Sequence, residues 1–377
     1  MVAIVGLLLI TLGGVTAPTQ DDKLVTVIRN AYASNRGELT HGEAKFRMEE
    51  GSADSVGSAL KGKWAERWST AEGLLIFDTG ISRYECVHPL AQIVAHRVKG
   101  EDNSYTMPLT ESIRAVTNGS ITLSDRIFVE SDGKTPIHGA QIDPGTQGFA
   151  RYYVFPLSVG NPAPADFQLD VDLSTPLPGR PSWQVASVDV NATLRGIPVV
   201  KLVLTSRGVS REYWVDLERG AVPLLIRDGA DVEYHYGDVR RVGDRAWLPH
   251  RLTILGKNPT GAVRIRDVTV TEADFTTRPA KSSYGLRFPK PRKMVNAASM
   301  KVYDEQDTWD ITALPAANSP RARTIQMGQP QAPVPILPRE RETRSSAPQV
   351  WMIAAGTLSV LGLGLIARRM SHGRSTA

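Results

Sequence analysis

The fold is decided by Val199 to Thr271, where six apolar runs alternate with turn signals: Val199–Thr205 (VVKLVLT), Arg211–Leu217 (REYWVDL), Val222–Arg227 (VPLLIR), Asp231–Asp238 (DVEYHYGD), Ala246–Leu255 (AWLPHRLTIL) and Ala262–Thr271 (AVRIRDVTVT). Between them stand Ser206-Arg207-Gly208, Glu218-Arg219-Gly220-Ala221, Asp228-Gly229, Gly243-Asp244 and Asn258-Pro259-Thr260-Gly261. Gly, Asn and Asp tolerate the positive φ of tight hairpins, so the runs predict six strands, each antiparallel to its neighbour. Val200, Leu202 and Leu204 share one face, opposite Lys201 and Thr205, while Tyr213 and Val215 oppose Glu212, Trp214 and Asp216. Trp214 and Trp247 sit on otherwise polar faces, which predicts a sheet that is apolar on more than one side.

Working outward, Leu24, Val25, Ile28, Ala31 and Tyr32 fall on one face of a helix, opened by Asp21-Asp22 and closed near Gly37. That helix is expected to lie on the sheet. Ala44, Phe46 and Met48 alternate with Lys45, Arg47 and Glu49 as a first strand. Gly73–Asp78, Ser82–Val87, Gln92–Val98, Ile121–Val129 and Trp183–Asn191 also read as strands, with Asp78-Thr79-Gly80 as a hairpin turn. Leu60, Trp64 and Trp68 recur every four residues, so Gly51–Ser69 reads as a short amphipathic helix or an aromatic lid. Glu101–Ser120 reads as a polar loop. Residues 132–182, rich in Pro and Gly, read as an irregular insertion.

The chain of 377 residues is 41% apolar and 22% charged, enough to bury a core. Its net charge of +5 includes Arg residues near the C-terminus, and no basic stripe with interleaved aromatics marks a nucleic-acid surface. Val2–Gly14 is apolar but too short for ~30 Å of hydrocarbon, and Val15-Thr16-Ala17 resembles a cleavage site, so residues 1–20 read as a signal peptide. Val350–Ala367 is a longer uncharged run followed by Arg368-Arg369, the pattern of a transmembrane helix. The organisation expected is an exported domain over 21–290, a Pro-rich tether over 291–349 from which Trp309 could dock back, a membrane helix over 350–367 and a cytoplasmic tail over 368–377. The main domain would then lie outside the cytoplasm, on a single-pass anchor.

Catalytic patterns are missing. Gly57–Lys63 spells a phosphate-loop pattern, but Trp64 stands where Ser or Thr must meet Mg²⁺. The lone Cys86 allows no intramolecular disulfide, no His pair has zinc-site spacing, and Asp170 and Asp172, read as sharing a strand face, are better placed at a solvated edge than on a cation. No catalytic residue, metal or cofactor is assigned. Shape is what remains: an antiparallel sheet curved around a helix, apolar inside and not fully closed, offers a cavity to an apolar ligand.

Two segments carry a resemblance. Arg211–Pro223 looks like the part of outer-membrane lipoprotein-sorting carriers where a strand ends in Val-Asp, turns and resumes. Tyr236–Leu252 (YGDVRRVGDRAWLPHRL) is similar to their strand pair of pattern y-x-d-y-r-x-v-x-g-x-w-x-P. The resemblance implies an α+β, mainly antiparallel, unclosed β-barrel with helices on its concave side, and a non-enzymatic protein holding acyl chains or lipidated protein in the cell envelope. Phe46, Met48, Leu202, Leu204, Tyr213 and Val215 are expected to line the cavity, and Leu60, Trp64 and Trp68 to form a lid or partner contact. The alternative reading is an envelope sensor or assembly factor that works through protein contacts, with a filled core and exposed aromatics.

Overall fold

A computed structural model describes residues 20–100, 111–129, 133–145, 154–156, 169–173, 183–244, 246–257, 262–296, 301–311 and 322–324. In chain order the first half runs α1 (Gln20–Gly37), β1 (Gly42–Ala53), α2 (Val56–Leu60), β2 (Glu66–Asp78), β3 (Ile81–Val87), α3 (Leu90–Gly100), β4 (Ser112–Thr117), β5 (Ile121–Val129), β6 (Pro136–Pro144) and a single helical turn, α4 (Leu169–Asp172). The second half runs β7 (Gln184–Leu194), β8 (Ile197–Ser206), β9 (Val209–Asp216), β10 (Val222–Asp228), β11 (Val232–Val242), β12 (Ala246–Lys257), β13 (Val263–Asp274), β14 (Gly285–Asn296), β15 (Lys301–Asp310) and β16 (Ala322–Thr324).

These strands form one sheet in the order β16-β15-β14-β6-β5-β4-β3-β2-β1-β13-β12-β11-β10-β9-β8-β7. Every pairing is antiparallel except β14 with β6. The meander expected from Val199 onward is present strand for strand as β8 to β13, and α1 and β1 lie where their periodicities place them. Arg207 and Ala221 adopt positive φ (50° and 56°) beside Gly208 and Gly220, which is how the tight turns close. The two meanders meet where β1 pairs with β13, Glu50 opposite Arg266 and Met48 opposite Val268.

Alternation sorts the core into layers. On the concave face Phe46, Met48, Leu75, Tyr84, Leu202, Leu204, Tyr213, Val215, Leu252 and Val268 form one buried cluster with Ile28 and Tyr32 of α1. The opposite face of β2, β4, β5 and β6 carries Ile76, Val116, Leu123 and Ile142, covered by Leu286, Phe288, Met294, Tyr303 and Trp309 from β14 and β15. Trp309 therefore docks back, as expected. Trp214, on the outer face, is flanked by the cations of Lys201 and Arg227 at 4.7 and 4.8 Å from its ring centroid.

Several sequence expectations differ from the structure. Gln92–Val98 lies in α3, not a strand; the Pro89 carbonyl accepts the Gln92 and Ile93 amides and starts the helix. Ser112–Thr117 is a strand inside the stretch read as loop, and Pro136–Pro144 is a strand inside the stretch read as irregular. Of the segment with four-residue spacing only Val56–Leu60 is helical, and Trp68 belongs to β2. The boundary drawn near residue 290 falls within β14, so folded chain extends at least to Ile311. Residues 1–19 and 325–377, which hold the leader and membrane-helix readings, lie outside the described residues. Among the described residues no helix is long and apolar enough to cross a membrane.

Candidate functional site

Strand alternation delivers the six residues expected to line a cavity to one place. Phe46 and Met48 on β1, Leu202 and Leu204 on β8, and Tyr213 and Val215 on β9 all point to the concave side and join one cluster. Phe46 sits where β2 has Gly73; a Cβ there would lie 2.0 Å from the Phe46 ring, so only glycine admits it. Its ring stacks on Tyr84 (centroids 5.5 Å) and meets Phe155 edge-on (5.9 Å). Five of the six are 0% exposed and Met48 is 5%. A ligand reaches them only if something above them moves.

Among the described residues, α1, Phe155 and α4 lie above them. Helix α1 contributes Ile28 and Tyr32 to the concave cluster, and Asn35 fastens it to β12 by donating to the Trp247 carbonyl (3.0 Å) and accepting from the Trp247 amide (2.7 Å). Turn α4 inserts Leu169, fully buried, and is held through Asp172. The carboxylate Oδ2 accepts from Arg211 Nη1 (2.8 Å) and from the Tyr213 hydroxyl (2.5 Å). Arg211 also donates from Nε to Asp228 (3.0 Å) and lies 4.5 Å over the Trp183 ring. Burial raises the Asp172 carboxyl above its ordinary range, opposed by the Tyr213 hydroxyl and then by the Arg211 charge. Asp172 therefore lies in a helical turn rather than on a strand face shared with Asp170, and its carboxylate is taken up by a latch.

The residues read as a lid are elsewhere. Leu60 is 37% exposed at the end of α2. Trp64 packs with Ala53, Val263 and Ile265, the face opposite Phe46, under the Arg67 guanidinium. Trp68 donates to Glu66 (3.0 Å) and lies beside His96 of α3 (6.0 Å). The structure does not bring these three over the concave face.

One end of that face is charged. Ala44, Phe46 and Met48 continue as Glu50, and Val270 and Val268 continue as Arg266 and Arg264, so the inner row turns from apolar to ionic over two steps of register. Glu50 is 1% exposed and its Oε1 accepts from Arg266 Nε and Nη2, both at 2.6 Å. Glu50 Oε2, Ser69 Oγ and His88 Nδ1 are buried and have no hydrogen-bond partner among the described residues. Ser69 is directly opposite Glu50 on β2. Burial pulls the His88 imidazole down to about 4, against the pull of Glu50, and pushes the Cys86 thiol up to about 12, which makes that thiol inert. Burial, then the neighbouring Arg266, lowers Arg264 to about 10. No cluster of three His, Cys, Asp or Glu able to hold a metal occurs among the described residues.

Neither the latch nor the charged rim was read from the sequence. The rim had a signal: a charge at the next alternate position after an apolar run, on two strands that pair. The latch had none, because Asp172 and Arg211 are separated by a Pro-rich stretch and join only through tertiary folding.

The chain matches no protein-family model and no curated protein sequence. Among solved structures it is similar to an outer membrane lipoprotein-sorting protein domain from Vibrio parahaemolyticus, at 10% identity and TM-score 0.38, covering 69% of this chain and 95% of that one. It is also similar to a LolA superfamily protein from Nitrosomonas europaea, at 11% identity and TM-score 0.36, covering 68% and 94%. The fold itself rests on the strand pairing of this chain.

Proposed function

We propose that the protein holds the acyl chains of a lipid or lipidated protein against the concave face of its sheet, without catalysis. The observation that carries this reading is how that face is roofed. A layer of β-strands would be permanent, but among the described residues the roof is α1, Phe155 and a single turn fastened through one carboxylate. Lifting α4 uncovers Tyr213, and the acyl chain takes the place of Leu169 in the buried cluster.

Residues 1–20 would export the domain, and Val350–Ala367, uncharged and followed by Arg368-Arg369, would anchor it with its C-terminus in the cytoplasm. A tethered holder receives or senses lipid at its own membrane and does not shuttle. The test is native mass spectrometry of the full chain purified from membranes, with uptake of a fluorescent fatty acid measured in parallel. A co-purifying lipid or near-stoichiometric uptake is expected; neither occurring overturns the reading.

The alternative, an envelope sensor or assembly partner working through its surface, is favoured by the edge strand β7. Among the described residues that strand pairs only with β8, and it exposes Val185 and Val190 at 40% and 57%. It predicts a chain that takes up no lipid.

A further inference from the structure

The charged end of the concave face is built unlike the rest of it. A buried carboxylate oxygen, a buried serine hydroxyl and a buried neutral imidazole nitrogen stand without partners, although orphaned buried polar atoms are rare in folded proteins. Glu50 and Ser69 are a direct cross-strand pair, and His88, one residue past the end of the β2–β3 register, lies within electrostatic reach of Glu50. All three can accept a hydrogen bond: a carboxylate oxygen, a hydroxyl oxygen, and Nδ1 of a neutral imidazole in its Nε2–H tautomer, Nε2 lying 3.9 Å from Cys86 Sγ. A primary ammonium has three N–H donors. Glu50 has one oxygen committed to Arg266 and one to spare, which offers an ammonium a carboxylate acceptor.

Arg264 supplies the complement. It shares the inner face with Arg266, Val268 and Val270, and it lies opposite Ser52, hence diagonal to Glu50 at roughly 7–8 Å. It makes no hydrogen bond or ion pair with a described residue, while Arg266 is held by Glu50. An unpaired guanidinium at the rim of an apolar concavity presents bidentate donors suited to a phosphate. We infer that the rim formed by Glu50, Ser69, His88 and Arg264 receives a zwitterionic phospho-amine headgroup, the ammonium on the three orphaned acceptors and the phosphate on Arg264. This rests on the reading that the concave face takes acyl chains, and it names the amphiphile: a lipid with a primary-amine phosphate headgroup.

The test uses the full chain and four lipids with the same two oleoyl chains: phosphatidylethanolamine, phosphatidylcholine, phosphatidylglycerol and diacylglycerol. Phosphatidylethanolamine is expected to bind about tenfold tighter than each of the others, because choline has no N–H, glycerol no positive charge and diacylglycerol no phosphate. Ser69→Ala, which removes only an orphaned hydroxyl, should weaken phosphatidylethanolamine and leave phosphatidylglycerol unchanged. Arg264→Gln should weaken both, and neither variant breaks the Glu50–Arg266 pair. Free phosphoethanolamine should displace the lipid only in at least a hundredfold excess; displacement at equal concentration would assign the site to a soluble zwitterion and overturn the lipid assignment. Equal affinity for the ethanolamine and choline lipids overturns the ammonium assignment. One affinity for all four overturns the headgroup site and leaves the acyl reading in place, whereas binding of none overturns both.

Discussion

Replacing Tyr213 by Phe tests whether α4 is a removable roof. The ring keeps its buried place among Leu202, Val215 and Ile226, so little apolar area changes. What is lost is one of the two bonds reaching Asp172 Oδ2, the 2.5 Å bond from the hydroxyl, while the 2.8 Å bond from Arg211 persists. A buried hydrogen bond to a charged acceptor contributes about 2 kcal/mol, and with about 1.4 kcal/mol per factor of ten the open population of α4 should rise about thirtyfold. Hydrogen exchange reads this directly at the Leu173 amide, which donates to Leu169 O across the turn (3.0 Å). Fluorescent fatty-acid uptake should tighten by up to the same factor, because less free energy is needed to open the site. If urea unfolding shows the full loss while exchange at Leu173 and uptake stay unchanged, the turn opens only when the whole protein does, and the reasoning fails.

Other predictions follow from packing and protonation. His88 has an ordinary imidazole value of 6.5 and is held near 4 when folded, so between these pH values the unfolded chain binds a proton that the folded chain does not. Stability present above pH 6.5 should fall as pH drops toward 4, by on the order of 3 kcal/mol, and His88→Gln should flatten that slope in urea titrations. Gly73→Ala forces a Cβ into the Phe46 ring and should cost about 1–3 kcal/mol or more; Phe46→Leu in the same chain should recover part of it, and strict additivity of the two changes would refute the contact. Trp309→Ala, 1% exposed against Tyr303, should cost about 3–5 kcal/mol in thermal unfolding, and a loss below about 1 kcal/mol would show that β14 and β15 are not part of the core.

The strands that could be read were those with local punctuation. From Val199 to Thr271 each run ends at Gly, Asn or Asp, and short-range turn chemistry fixes both the strands and their antiparallel order. Gln92–Val98 misled because Ile93, Val94 and Val98 are β-branched, while the carbonyl of Pro89 and packing of Ile93 decide for helix. β14 was hidden by Pro289 and Pro291, which the break in its register with β15 between Arg287 and Arg292 accommodates. The apolar floor was legible from alternation, and its full burial was not, since the roof comes from residues distant in sequence.

The pairing of β1 with β13 has a consequence for how the chain assembles. Strands β1 to β6 and β7 to β13 are each built from neighbours in sequence, yet they are joined by a seam between residues 42–53 and 263–274. Each meander can zip locally and early, but the seam must wait for loop closure over some two hundred residues, and the β6 edge stays uncovered until β14 arrives in parallel. During synthesis the nascent chain therefore carries two open sheet edges, and holding these apart until residue 296 emerges is the step at which a chaperone would matter most.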